Sequence, residues 1–230
     1  MKSCIVSVLG KKYSICSYKS HSDIPISSSD ISILPHPDLD FEVISSEIVV
    51  GSPLGALRAI GEYVFHSLGY PRTELEILAF GKVYKIAYSQ HGISVTLPEC
   101  KQLFEKIQKE IVGVYIPLIS VTAECKASFF EVKNLVHFDN SQFYSLFLDD
   151  KSRGIGFVSA FYMRGDDVRL YPLNEYPNSP EISVLLFRAL CHYGVISHDK
   201  LNISIEGKGK AFVERDRSGD ITFTASAELS

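Results

Sequence analysis

The chain has 230 residues, of which 46% are hydrophobic and 22% are charged, and its formal net charge is −4. This length suits one sizeable domain or two small ones, and the negative charge argues against binding nucleic acid or a membrane surface by bulk electrostatics. No apolar run reaches the roughly 18 residues that a transmembrane helix needs. The five cysteines are odd in number and lack C-x-x-C spacing, which fits a reducing cytoplasm and disfavours a zinc site or a disulfide framework.

The first half of the chain is predicted to contain strands and one central helix. Ser52 is a good N-cap for this helix, and Pro53 suits its first position, where a missing N–H costs nothing. Gly69 and Pro71 mark the end of the helix. The predicted elements are a strand pair over 4–17, a loop over 19–40, a strand over 41–50, the helix over 53–68, and strands at 75–80, 83–88 and 93–97.

The second half is predicted to follow a similar plan. Residues 101–112 carry apolar residues at helical spacing among charges, which indicates an amphipathic helix. A second Ser-Pro pair, Ser179-Pro180, opens another apolar helix that ends near Gly194. The other predicted elements are a strand-rich stretch over 113–138, a short helix or strand over 142–150, a hairpin over 156–171 that turns at Gly165-Asp166-Asp167, and strands at 201–205, 210–215 and 220–225.

One motif occurs twice in the chain. Leu75-Glu-Ile77-Leu-Ala-Phe-Gly81-Lys82 and Leu201-Asn-Ile203-Ser-Ile-Glu-Gly207-Lys208 match at Leu, Ile, Gly and Lys without a gap, 126 residues apart. Each copy follows a helix that opens at a Ser-Pro pair. This repeat predicts two similar halves, residues 1–115 and 116–230, with a ligand cleft between them.

This motif order, repeated over nearly the whole chain, resembles that of the diaminopimelate epimerase superfamily. That superfamily includes cofactor-independent amino-acid epimerases and racemases, and phenazine-biosynthesis isomerases. The closing stretch from Leu201 to Glu228 is similar to the last β-segment of the epimerases. The resemblance implies an α/β (α+β) fold with two pseudo-symmetric halves, each a sheet wrapped around a central helix.

The catalytic motifs of the superfamily are absent at the corresponding positions. The epimerases carry a cysteine at the start of each central helix, and the two sulfur atoms remove and return the α-proton. Here the two stretches read Val50-Gly51-Ser52-Pro53 and Asn178-Ser179-Pro180, without cysteine. The phenazine-type isomerases use Glu, Asp and His instead, and in the stretches that resemble theirs His has become Ser and Glu-Asp has become Asn-Ser.

The resemblance further implies that the two helix N-termini face a shared cleft, where free N–H groups favour a carboxylate or phosphate. The candidate catalytic residues are Ser52, Ser179, Glu181 and His137, and the candidate ligand-binding residues are Lys11, Gly51, Leu54, Asn134, Asn178 and Ile182. Plainer interpretations stay open. The two serines suit N-caps, Glu181 suits the helix dipole, Lys11 suits a solvated turn, and His137 suits a half-buried strand position.

Two functions remain open at this point. The first is a divergent, cofactor-independent isomerase or lyase that binds a small amino or hydroxy carboxylate and does not use two-cysteine chemistry. The second is a catalytically inactive protein of the same fold that serves as a ligand-binding or scaffold subunit. We expect no metal and no cofactor, a cytoplasmic location, and neither nucleic acid nor membrane as partner, while a homodimer stays open.

Overall fold

The computed structural model describes residues 2–25, 31–44, 53–79, 81–97, 102–111, 114–122, 126–132, 157–172 and 180–229. Up to residue 97 its elements are β1 Lys2–Val8, β2 Lys11–Ser17, β3 Ile31–Pro35, β4 Phe41–Ile44, α1 Pro53–Glu62, β5 Glu74–Ala79, β6 Lys82–Ser89 and β7 Gly92–Leu97. The later elements are β8 Leu103–Ile111, β9 Val114–Thr122, β10 Lys126–Glu131, β11 Phe157–Arg164, β12 Asp167–Pro172, α2 Pro180–His192, β13 Lys200–Ile205, β14 Gly209–Arg215, β15 Ile221–Ala225 and β16 Ala227–Leu229.

The chain divides into two compact units. The first comprises Met1–Pro98 together with Asp216–Ser230, and the second comprises Glu99–Arg215. This division differs from the one predicted from the repeat, because β15 pairs with β7 and β16 pairs with β1. The last strands of the chain therefore complete the sheet of the first unit.

In the first unit, the strands lie in the order β16-β1-β2-β3-β4-β5-β6-β7-β15. Helix α1 contacts β1, β2 and β16 at one end of this order and β6 and β7 at the other. A sheet whose two ends touch the same helix is curled around it. The helix accordingly buries residues on all sides, from Leu54 to Gly61.

In the second unit, the order is β14-β13-β12-β11-β10-β9-β8, and α2 contacts β14 at one end and β9 and β10 near the other. Each unit is thus a sheet around a central helix, and the predicted α/β fold class is confirmed. The two copies of the repeated motif each form an antiparallel hairpin within their own unit, β5–β6 and β13–β14. Gly81 and Gly207 take φ angles of 73° and 67°, in a left-handed region that suits glycine.

The helix predicted over 101–112 is wrong, because Leu103–Ile111 form strand β8. Its nine residues pair in antiparallel register with β9, from Leu103 opposite Thr122 to Ile111 opposite Val114. A short apolar pattern among charges fits a helix or a strand, and the β-branched partner strand decides between them here.

Two other predicted elements differ from the structure. The predicted loop over 19–40 contains strand β3, since Ile31, Ile33 and Leu34 are buried despite their polar flanks. The predicted helix over 53–68 ends as an α-helix at Glu62 and continues as a π-helical turn, Tyr63–Ser67. The predicted strand over 41–50 is observed as far as Ile44, and the rest of it lies outside the described residues, as does the segment 142–150.

Candidate functional site

Four of the ten predicted site residues lie in the described parts of the chain: Lys11, Leu54, Glu181 and Ile182. The other six lie outside them: Gly51, Ser52, Asn134, His137, Asn178 and Ser179. The described parts of the candidate site are the first turns of α1 and α2, which begin at Pro53 and Pro180.

The first turn of α1 is apolar. Leu54 is 1% exposed, Gly55 and Ala56 are also buried, and no acidic residue lies in this turn. Leu54 was a candidate ligand-binding residue, but in this structure it is a core residue with almost no free surface. The only polar feature of this turn among the described residues is its backbone, at the positive end of the helix dipole.

The first turn of α2 is more polar. Glu181 is partly exposed and is the acidic residue of this turn, while Ile182 is 1% exposed and belongs to the core. Ser183 is fully buried, and its hydroxyl has no hydrogen-bond partner among the described residues. The first turn of α2 therefore carries a partly exposed carboxylate at the positive end of the helix dipole and, on another face of the helix, a buried hydroxyl.

Sequence reasoning missed Ser183. It lies between Ile182 and Val184 in an apolar helix, where a single serine does not indicate a functional role. A signal was available, because a serine on the buried face of a predicted helix needs a partner for its hydroxyl.

Lys11 opens β2, next to the turn that joins it to β1, and pairs with Val8 in the ladder. Its Nζ lies 5.2 Å from the ring centroid of Tyr13, within the range of a cation–π interaction. Lys11 is thus the first, partly buried residue of a strand and not a solvated turn residue, and its side chain lies over a neighbouring ring.

Three cysteines lie in the described chain, and none of them is in a disulfide: Cys4 in β1, Cys16 in β2 and Cys191 near the end of α2. Burial raises the pKa of the Cys4 thiol, and a hydrogen bond with Ser67 offsets part of this rise. Burial also raises the pKa of the Cys191 thiol. A catalytic thiolate needs a lowered pKa, so these two thiols are of the inert kind.

The second unit holds a pair of buried hydroxyls on two neighbouring strands. Ser120 of β9 lies directly opposite Ser128 of β10, both side chains are buried, and neither hydroxyl has a hydrogen-bond partner in the described part of the chain. A buried hydroxyl without a partner costs about 1–3 kcal/mol relative to a satisfied one.

We expect the Ser120→Ala/Ser128→Ala double variant to be as stable as the parent or up to about 1 kcal/mol more stable, because it removes two such hydroxyls. Urea unfolding measures the change. Ser17→Ala is the matched control, since the Ser17 hydroxyl accepts a hydrogen bond from the Tyr63 hydroxyl at 3.0 Å, and its loss should destabilise by about 1 kcal/mol. A double variant that loses more than the control would show that the two hydroxyls have partners.

Among the described residues, no three His, Cys, Asp or Glu side chains lie together as a metal site would require. In the same part of the chain, no helix has the length and apolar character to cross a membrane.

No protein-family model and no curated protein matches the chain. The fold is similar to that of a protein from Clostridium difficile (strain 630) named for phenazine biosynthesis (PhzC/PhzF), with a TM-score of 0.67, 9% identity, and coverage of 99% of this chain and 96% of that one. It is also similar to a hydroxyproline epimerase from Agrobacterium vitis with bound trans-4-hydroxy-L-proline, with a TM-score of 0.65, 12% identity, and coverage of 99% and 88%. A phenazine biosynthesis protein of the PhzF family from Enterococcus faecalis gives a TM-score of 0.64 at 12% identity, with coverage of 99% and 97%.

These structures share one architecture over almost their full lengths. The chain has the diaminopimelate epimerase-like fold, as the motif order predicted. At these identities the likeness defines the fold and not the reaction.

Proposed function

We propose that the protein is an isomerase-type protein that moves a proton on a small amino or hydroxy carboxylate without a cofactor and without two-cysteine chemistry. The observation that carries this proposal is the first turn of α2, where the partly exposed carboxylate of Glu181 lies at the positive end of the helix dipole. The structural neighbours support it, because one of them is an epimerase with an amino acid bound.

The helix terminus supplies the binding part of the proposal. Backbone N–H groups and the helix dipole favour a carboxylate, and this attraction grows as negative charge develops on the substrate during proton removal.

Glu181 supplies the base. Its carboxylate takes the proton from the carbon next to the substrate carboxylate, the C–H bond breaks, and the electron pair delocalises onto the substrate carboxylate. A proton then returns to the substrate carbon skeleton, so the product is an isomer and no oxidant or reductant is consumed. Ser52, Ser179 and His137 are the candidates for the group that returns the proton.

The cysteines support the exclusion of two-cysteine chemistry. Cys4 lies in β1 and Cys191 lies near the end of α2, so neither cysteine is at the start of a central helix. Burial raises the pKa of both thiols. We further propose that the two motif copies are an internal repeat and that the protein acts in the cytoplasm.

The test is hydrogen exchange at substrate carbon. The protein is incubated in D2O with a pool of amino and hydroxy acids, and deuterium uptake is measured by mass spectrometry. We expect uptake into one compound and a loss of at least a hundredfold in rate for Glu181→Gln, because the base becomes a neutral amide. Glu206→Gln is the matched control, since Glu206 is exposed in the β13–β14 turn, and it should keep the parent rate.

Two results would contradict the proposal at different points. Uptake that survives Glu181→Gln would keep the isomerase function and remove Glu181 as the base. Absence of uptake for every compound would remove the isomerase function.

The alternative is a catalytically inactive protein of this fold that binds a ligand or a partner. The burial of Leu54 and Ile182 favours it, because both candidate ligand-binding residues are core residues with almost no surface to offer a ligand. This alternative predicts that a small carboxylate raises the melting temperature of the protein while the same compound takes up no deuterium.

A further inference from the structure

Strand β8 lies at one end of the strand order, and β9 is the only strand that pairs with it in the described part of the chain. Its nine residues, Leu103–Ile111, all pair with β9 in a continuous register. The other edge of β8 has no ladder partner among the described residues. Such an edge is a template for a further strand unless a charge, a proline or a bulge blocks it, and β8 contains neither a proline nor a bulge.

The end of α2 holds the first half of β8 in place. The Phe104 ring stacks on the His192 ring, with 4.1 Å between the centroids and 10° between the planes. Lys106 Nζ lies 4.4 Å from the ring centroid of Tyr193. Phe104 and Lys106 share one face of the strand, because side chains alternate between the two faces. Leu103 is on the other face and is 68% exposed, more than any other large apolar residue in the described chain. β8 thus presents a fixed edge and an apolar side chain that a neighbouring strand would cover.

The sequence of β8 is complementary to itself in one antiparallel register. The strand reads Leu-Phe-Glu-Lys-Ile-Gln-Lys-Glu-Ile, with Ile107 at its centre. When two copies pair about this centre, position 105 of each copy lies opposite position 109 of the other, and these residues are Glu105 and Lys109. Leu103 is opposite Ile111 at both ends of the ladder. All nine residues have an opposite residue, and the charge pair and the terminal apolar pair each occur twice.

The charges of β8 favour this register over its neighbours. Pairing centred on Lys106 would place two lysines opposite each other, and pairing centred on Glu105 would do the same with two glutamates, which is unfavourable. Pairing centred on Gln108 would place Glu105 opposite Ile111 and leave Leu103 outside the ladder. The charged residues that ordinarily protect an edge strand therefore allow one symmetric pairing with a second copy of this chain.

We propose that the protein forms a homodimer in which the β8 strands of two copies pair antiparallel about Ile107. A two-fold axis normal to the sheet passes through this point, so the interface uses the same residues on both protomers. The strands β9 and β8 of one protomer continue into β8 and β9 of its partner as one sheet. Strand addition of this kind draws affinity from main-chain hydrogen bonds and specificity from the opposed side chains. The dimer goes beyond the proposed function and does not depend on it.

Sedimentation velocity of the full chain over a dilution series tests this proposal. We expect the parent to be a dimer that dissociates on dilution. Glu105→Lys should weaken the dimer about tenfold or more, because it turns two attractive pairs with Lys109 into repulsive ones. Lys109→Glu should weaken it to a similar degree. Glu206→Lys is the matched control, since it makes the same charge change at an exposed position of the β13–β14 turn in the same unit, and it should keep the parent affinity.

The double variant Glu105→Lys/Lys109→Glu exchanges the two charges and restores both attractive pairs. We expect its dimer affinity to return to within about threefold of the parent, a recovery that misfolded single variants would not allow. A parent that is monomeric throughout the series would overturn the proposal. Single variants that dimerise as well as the parent would also overturn it, because the interface would then lie elsewhere. A double variant as weak as the single variants would overturn the register centred on Ile107.

Discussion

Phe223→Ala is expected to destabilise the protein by about 4 kcal/mol, roughly a thousandfold in the folding equilibrium. Phe223 is fully buried in β15 and lies opposite Val95 of β7, which is fully buried as well. Truncation removes most of a large apolar side chain and leaves a cavity at the seam of the curled sheet, and both effects lower stability. Urea or thermal unfolding of the full chain measures the change.

Phe212→Ala is the control for this prediction. Phe212 is only partly buried in β14, so its truncation should cost clearly less. A loss below about 1.5 kcal/mol for Phe223→Ala would contradict the placement of β15 against β7, because such a value is typical of a side chain that is partly exposed.

Gly61→Val is expected to destabilise the protein by about 3 kcal/mol. A Cβ added at Gly61 would lie 2.7 Å from Ile93 Cγ2 and 2.8 Å from Ile86 Cγ2, closer than carbon atoms approach in folded proteins. Valine adds two further methyl groups to this contact. A glycine in an α-helix is ordinarily a weak point, and its replacement by alanine gains up to about 1 kcal/mol in helix propensity. Here the close packing of α1 on β6 and β7 reverses that sign.

A double-mutant cycle identifies the cause. Leucine has no branch at Cβ, so Ile93→Leu removes the nearest methyl group, and Gly61→Val should cost less in the Ile93→Leu background than in the parent. Equal costs in the two backgrounds would mean that the contact with Ile93 is not what excludes a side chain at position 61.

Much of the local structure follows from short-range chemistry. Pro53 and Pro180 begin the two central helices, and Gly81 and Gly207 turn the hairpins, because each of these residues restricts or permits particular backbone angles. Features of this kind depend on a few neighbouring residues and can be predicted from them.

The wrong predictions concern segments whose structure depends on a pairing partner far away in the chain. β8 is a strand because β9 pairs with it, and its own apolar spacing does not distinguish a strand from a helix. Strand β15 belongs to the first unit because it pairs with β7, which precedes it by more than a hundred residues. Such pairings cannot be derived from periodicity in one segment.

The dependence on distant partners also limits how much of the candidate site can be predicted from the sequence. Glu181 was placed correctly in the first turn of α2, since the position of Pro180 fixes where the helix begins. Arg58, which is buried in α1, was not singled out, because a lone charge between Leu57 and Ala59 normally indicates an exposed position. Its hydrogen-bond acceptor, the Ala225 carbonyl, lies 167 residues away in the chain, and the residues next to Arg58 do not predict this contact.

Deuterium incorporation by the unmodified protein is the measurement that separates the proposed isomerase from a binding protein most directly. The protein is incubated in D2O with the pool of small amino and hydroxy acids, and each compound is followed by mass spectrometry against a sample without protein. An isomerase-type function predicts protein-dependent uptake of deuterium at the carbon next to the carboxylate of one compound. Uptake no faster than in the sample without protein, for a compound that binds and raises the melting temperature, would contradict it and favour the catalytically inactive alternative.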